Sequence, residues 1–211
     1  MATSGDSRHM RQTRLLTIFL TLTLSATASA DAEDTLANKV YAEGGKTLYC
    51  QESFKPGDRI KVDYIYGEKL LLRQFGCITA RQCSSKPGFM KVSGDLHNLY
   101  PVERSLELDR RGSMFGDLPD SIETRQCGQQ LSFQTFDPPD HAKGNVARAM
   151  VYMHKQHNLP LVGPLEMYQR WSKLDPPDAA EKKRNDVIGR IQGNKNPYID
   201  NPESLQKLTG L

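Results

Sequence analysis

Asp95-Leu96-His97-Asn98-Leu99-Tyr100-Pro101 sets an imidazole and a neutral amide side by side next to a carboxylate, and Asp109-Arg110-Arg111 follows about one helix length later. One short region thus holds a proton carrier, an oxygen donor for a hard cation and a guanidinium able to pair with phosphate. As a bare pattern it equally fits a histidine satisfied on the surface or in the core, so the surroundings must decide. From Asp58 to Phe136 the apolar stretches Ile60 to Ile65, Leu70 to Phe75 and Leu131 to Phe136 stand between Gly, Pro and Cys punctuation. That is the pattern of short strands and long loops. From Asp140 onward the period changes: Val146, Ala149, Met150, Met153 and His157 recur at three- and four-residue spacings. The spacing predicts a helix capped by Asp140 after Pro138-Pro139 and ended by Asn158 and Pro160. Further helices are predicted for Pro164 to Leu174, carrying Leu165, Tyr168 and Trp171, and for Asp178 to about Ile191, capped by Asp178 after Pro176-Pro177. Asp34 to Ala42 reads as helical as well. The fold class is α+β with helices predominating.

The chain has 211 residues, 28 Lys+Arg against 25 Asp+Glu, and ordinary counts of Gly (16) and Pro (12). Collagen-like, low-complexity, coiled-coil and multi-span membrane classes are excluded, and a core of this size closes without oligomerisation, so a monomer is expected. Arg8, Arg11 and Arg14, the apolar run Leu15 to Leu24 and the small residues Ala28-Ser29-Ala30 read as a secretory signal peptide over residues 1 to 30. The run is too short to span a bilayer. Residues 31 to 211 then form one domain whose formal charge drops from +3 to +1, because three Arg and one Asp leave with the signal. Any anion binding must be local. In an oxidising compartment Cys50, Cys77, Cys83 and Cys127 read as two disulfides, with all three pairings open; the six-residue spacing of Cys77 and Cys83 is too wide for a zinc knuckle.

Several segments, in order, resemble the endonuclease I family, periplasmic and secreted nucleases with a ββα-metal core. Leu48-Tyr49-Cys50 is similar to the family's opening Tyr-Cys. Gln74-Phe75-Gly76 with Arg81-Gln82-Cys83 resembles its Gln-Phe-Gly and Arg-Gln-Cys segment, and the stretch from Asp95 to Pro101 its Asp-Met/Leu-His-Asn-Leu-x-Pro motif. Asp109-Arg110 keeps the family distance of eight from Pro101. Ala147-Arg148 through Tyr152-Met153 and His157-Asn158-Leu159 resemble the family's long helix, and Gln192-Gly193-Asn194-Lys195-Asn196-Pro197-Tyr198 its C-terminal signature.

The resemblance implies an endonuclease that hydrolyses phosphodiester bonds in DNA, with RNA as a further substrate, without sequence preference and with one Mg²⁺. In such a site a His takes a proton from water, an Asn and a carboxylate hold the metal, and Arg steadies the phosphate. By position Asn98 matches the family's metal-binding Asn and His97 its motif neighbour. The family's Glu-His pair, upstream of Gln-Phe-Gly, meets Tyr66-Gly67-Glu68-Lys69-Leu70-Leu71-Leu72-Arg73 here. With one residue deleted before Gln74, Glu68 falls on the metal-binding Glu and Lys69 on the base; without the gap, Gly67 and Glu68 do. No His lies between His9 and His97.

The candidate set is therefore Lys69, His97 and Arg110 for catalysis, Glu68 and Asn98 for metal, and Arg81 and Lys86 for phosphate. Lys69 acts as base if burial beside a metal disfavours its charged form, and His97 substitutes if its ring turns inward. Two other readings stay open: a nuclease-fold protein that binds nucleic acid without cutting it, with Glu68-Lys69 an exposed strand-end charge pair, and an exported structural domain without a ligand. His154 and His157 sit three apart but lack a third ligand, and Trp171, Met150 and Met153 read as core.

Overall fold

A computed structural model describes Met1 and residues 28–210 of the chain; the predicted signal segment, residues 1 to 30, lies almost wholly outside the described residues. The first helix, α1 (Ala28–Thr35), runs on as a π-helical segment, Leu36–Val40, so the helix expected over Asp34 to Ala42 is longer and starts earlier. Two short strands, β1 (Gly45–Lys46) and β2 (Ser53–Phe54), pair antiparallel. Strand β3 (Lys61–Tyr64) is followed by α2 (Glu68–Gln74), α3 (Ala80–Cys83) and α4 (Phe89–Ser93). A single 3-10 turn, Leu96–Asn98, leads into β4 (Leu99–Val102) and α5 (Arg104–Arg111). Strands β5 (Met114–Phe115), β6 (Gln130–Ser132) and β7 (Thr135–Asp137) form a small sheet with β7 central, parallel to β5 and antiparallel to β6. The rest is helical: α6 (Asp140–His157), α7 (Leu165–Leu174), α8 (Ala179–Gln192), α9 (Pro197–Asp200) and α10 (Glu203–Gln206). None of the described helices is long and apolar enough to cross a membrane.

The part that positions the site is β3, β4 and α5, a ββα unit. Strands β3 and β4 pair antiparallel with Tyr64 opposite Leu99 and Val62 opposite Pro101. Proline is tolerated because β4 has β3 as its one ladder partner and need not donate on the other side. Helix α6 runs behind the unit. Its stretch from Val146 to Met153 is buried on every face, as a helix through the middle of a core must be. Gly144 lets it come close to the end of α7, since a Cβ there would stand 1.8 Å from the Asp175 carbonyl oxygen.

Three sequence expectations are corrected. Leu70 to Phe75 is helix α2, not a strand; consecutive leucines carry no period, Leu is a strong helix former, and Glu68 and Arg73 sit at the ends where the helix dipole favours them. Leu131 to Phe136 is two strands, broken at Phe133-Gln134 by a reversal. The N-cap of α6 is Pro139 rather than Asp140, whose carboxylate instead accepts a hydrogen bond from Lys143 at 2.9 Å. The helices expected over Pro164 to Leu174 and Asp178 to Ile191 are α7 and α8, and Asp178 caps α8 by accepting from the Glu181 N–H at 2.7 Å. Of the three disulfide pairings the fold takes Cys50–Cys127 and Cys77–Cys83.

Candidate active site

A cavity of about 670 Å³ opens on the ββα unit, between β3, the first turn of α2 and the face of α5. Glu68 and Lys69, both exposed, begin α2 directly after Gly67, its N-cap. From α5 come Glu107, Arg110 and Arg111, which three- and four-residue spacing sets on one face. Arg110 is buried: its Nε donates to Asp63 Oδ2 at 3.1 Å, its Nη1 to the Ser113 carbonyl at 2.5 Å, and its guanidinium carbon lies 3.8 Å from the Phe115 ring centre. Burial works against its charge, but Asp63 and Tyr49 more than offset that, so Arg110 is held protonated. Asp63 also accepts from the Tyr49 hydroxyl at 2.5 Å, so this carboxylate is committed to holding α5 on β3. Glu107 accepts from Arg111 Nε and Nη2 at 2.8 and 2.6 Å, both through Oε1. Arg73 also lines the cavity, as do the acids Glu33 and Asp63.

The segment from Asp95 to Pro101 has a different surrounding. Asp95 is buried and accepts four hydrogen bonds: from His97 N–H (3.0 Å) and Gln192 Nε2 (2.9 Å) on Oδ1, and from the Tyr152 hydroxyl and His157 Nε2 (each 2.8 Å) on Oδ2. Burial pushes its carboxyl upward, yet the bonds from His157 and Gln192, with His97 nearby, hold it below the usual carboxylate range. His97 is fully buried, with Nε2 3.1 Å from the Asn194 carbonyl and its ring edge-on to Tyr152. Burial and the Arg184 charge push it down to about 4. Asn98, also fully buried, clamps the backbone of Tyr66: its Oδ1 accepts from Tyr66 N–H at 2.6 Å and its Nδ2 donates to Tyr66 carbonyl at 3.2 Å. Arg184 donates to the carbonyls of Leu96 and Leu99, each at 2.6 Å, and Gln192 Oε1 accepts from Leu96 N–H at 3.0 Å. The C-terminal Gln192-to-Tyr198 segment is thus the partner of the Asp95-to-Pro101 segment.

The structure therefore brings Glu68, Lys69 and Arg110 of the expected set to one cavity. It does not bring His97, whose ring is enclosed against Tyr152, or Asn98, whose amide is engaged by Tyr66; the family match supplied a position for each, while the neighbours that use up these side chains are remote in sequence. Arg81 and Lys86, exposed on and after α3, line neither this cavity nor a second one of about 930 Å³ bounded by α1, α4 and the ends of α6 and α8. Lys69 is exposed, so the fold does not supply the burial a lysine base requires. Sequence reasoning missed Glu107. The available signal was an acid three residues before Arg110 on a predicted helix face. Among the described residues, the group of three ligand-type side chains whose ligand atoms lie within 4.8 Å of one another is Cys50, Glu52 and Glu103. Cys50 is already bonded to Cys127 and Glu103 accepts from the Thr47 hydroxyl, so this group is no metal centre.

The profile of the endonuclease I family matches residues 26–203. An extracellular deoxyribonuclease of Aeromonas hydrophila is 29% identical over 224 aligned residues, which cover 88% of this chain and 96% of that protein. A periplasmic deoxyribonuclease of the same organism is 33% identical, over 57% of this chain and 53% of that protein. An extracellular ribonuclease of Bacillus amyloliquefaciens is 31% identical, over 54% and 46%.

Proposed function

Because the chain belongs to the endonuclease I family, whose members are metal-dependent nucleases, we propose that it is an exported endonuclease that cuts phosphodiester bonds at the cavity on its ββα unit. The observation that carries this reading is the arrangement of charge there: carboxylates Glu68 and Glu107 on separate elements, with Lys69, Arg73, Arg110 and Arg111 around them. Glutamate oxygens are the hard donors that Mg²⁺ takes, so the residues present fit that ion; Glu68 and Glu107 would hold it. When bound, the ion supplies charge stabilisation to the developing phosphorane and the leaving oxygen. Arg73 and Arg111 pair with substrate phosphates, and Arg110, paired with Asp63, ties α5, and so Glu107, to β3. Lys69, next to Glu68, is the group in place to accept the proton of the attacking water once bound substrate covers it and disfavours its charged form. Asn98 is a positioning residue that fixes Tyr66, two residues before Glu68. The names of the extracellular and periplasmic relatives, with the signal-like residues 1 to 30, support export; their deoxyribonuclease and ribonuclease names support DNA as substrate and RNA as a second one. The protein works as a monomer.

A plasmid-nicking assay with disulfide-intact protein tests this. Nicking with Mg²⁺ that stops on adding EDTA is expected, as is its loss in Lys69→Met, which keeps the aliphatic stem and deletes the nitrogen. One observation favours a second reading, a protein that binds nucleic acid without cutting it: none of the described histidines lines the cavity. Salt-dependent DNA binding without nicking by the wild type, with Mg²⁺ or Mn²⁺ across about pH 6 to 9, would put that reading in place of the first.

A further inference from the structure

Phe133 is 94% exposed, and it occupies the first position of the two-residue turn that joins β6 to β7, where Ser132 pairs with Thr135. Its φ is +51°, whereas Gln134 has no such value, so Phe133 fills the slot that glycine ordinarily takes in a hairpin of this type. A bulky residue in left-handed backbone is an outlier, and a large apolar side chain in water contributes nothing to the core. Two costs to folding meet at one residue, which is the signature of a place kept for a ligand. The position says which ligand. Gln134, next in the chain, lines the cavity of the proposed site, and so does Met114, itself 52% exposed, whose N–H donates to the Gln134 carbonyl at 2.8 Å. The turn is carried by β7, which pairs on both sides with β5 and β6, so Phe133 stands one residue from the cavity lining on a paired strand.

We infer that Phe133 is a stacking platform for a nucleobase next to the phosphate held in the cavity. The inference rests on the nuclease reading above and deepens it. Arg73 and Arg111 take the backbone while the ring takes a base face, and because every base has such a face the grip is indifferent to sequence. A base can reach the ring only when it leaves its neighbours, so the favoured substrate class is single-stranded or locally unstacked nucleic acid rather than stiff duplex.

The test uses the full processed chain and a short single-stranded DNA carrying 2-aminopurine, whose fluorescence falls on stacking, with EDTA present to prevent cutting. Wild type is expected to bind and quench. Phe133→Gly should abolish the quench and weaken binding about tenfold without changing the salt dependence, because no phosphate contact is lost. Its melting temperature should stay level or rise, since glycine relieves the backbone, and Phe133→Trp should restore quench and affinity. If Phe133→Gly melts lower and still binds and quenches like wild type, the ring is structural and the platform is overturned while the nuclease reading stands. If wild type neither binds the oligonucleotide nor nicks plasmid, both fall together.

Discussion

Around Asp95 each carboxylate oxygen accepts two hydrogen bonds from buried or half-buried partners on three separate segments, whereas Glu68 and Lys69 stand exposed in the first turn of a seven-residue helix. The same division runs through the molecule. Arg148 and Glu181 form a buried pair at 2.5 to 2.8 Å, and Arg184 stacks on Tyr100 with its carbon 4.0 Å from the ring centre, while Glu68, Lys69, Arg73 and Arg111 of the cavity face water. One region is largely saturated from within, with His97 Nδ1 and the Tyr100 hydroxyl left over, so changing it alters shape; the other is largely open to water, so that something else can complete it.

The largest effect expected from this contrast is on the saturated side. Arg148→Ala leaves Glu181 buried without its partner and should cost about 3 to 5 kcal/mol in chemical denaturation. Normal stability in that variant would mean the buried region is looser than drawn. Next comes Glu107→Gln in the cavity: nicking with Mg²⁺ should fall roughly 100-fold, because a charged ligand of the ion is gone. Unfolding free energy should move by no more than about 0.5 kcal/mol, the worth of its partly exposed pair with Arg111. A drop in stability as large as that of Arg148→Ala would erase the distinction between the two regions. A further effect is a slope. His97 titrates at about 4 in the fold against an ordinary 6.5, so the unfolded chain binds its proton first. Its contribution to stability is complete above pH 6.5 and is lost as pH falls from there to about 4. His97→Gln should flatten the stability profile across that window, and an unchanged slope would place its source elsewhere.

How far the fold was legible follows from where its information lies. The helices after Asp140 announced themselves because an apolar stripe at three and four residues persists over several turns and Asp178 supplies a cap. Helix α2 did not, because Leu70-Leu71-Leu72 has no period and Leu71 alone of the three is fully enclosed. At the site, Glu68, Lys69 and Arg110 were found through a positional match, and the match also named His97 and Asn98, which belong to the saturated region. The conspicuous motifs, Asp95 to Pro101 and Gln192 to Tyr198, are conspicuous for each other: their side chains bond across separations of up to 97 residues, which no local pattern displays. Glu107 escaped for the opposite reason, since a glutamate four residues before an arginine on a helix looks like an ordinary surface pair.

That long-range pairing has a consequence for the order in which the protein comes into being. A chain made from its N-terminus has all of β3, α2, β4 and α5 in hand long before Arg184, Gln192 and Asn194 exist to hold the turn at Leu96–Asn98. Closing such a loop is slow relative to forming the helices it joins, because the entropy is lost before the contacts form. The residues of the cavity are thus the earlier part of the polypeptide and their alignment the later part, and a ribosome or export channel releases a shaped site only once Arg184 to Asn194 have emerged.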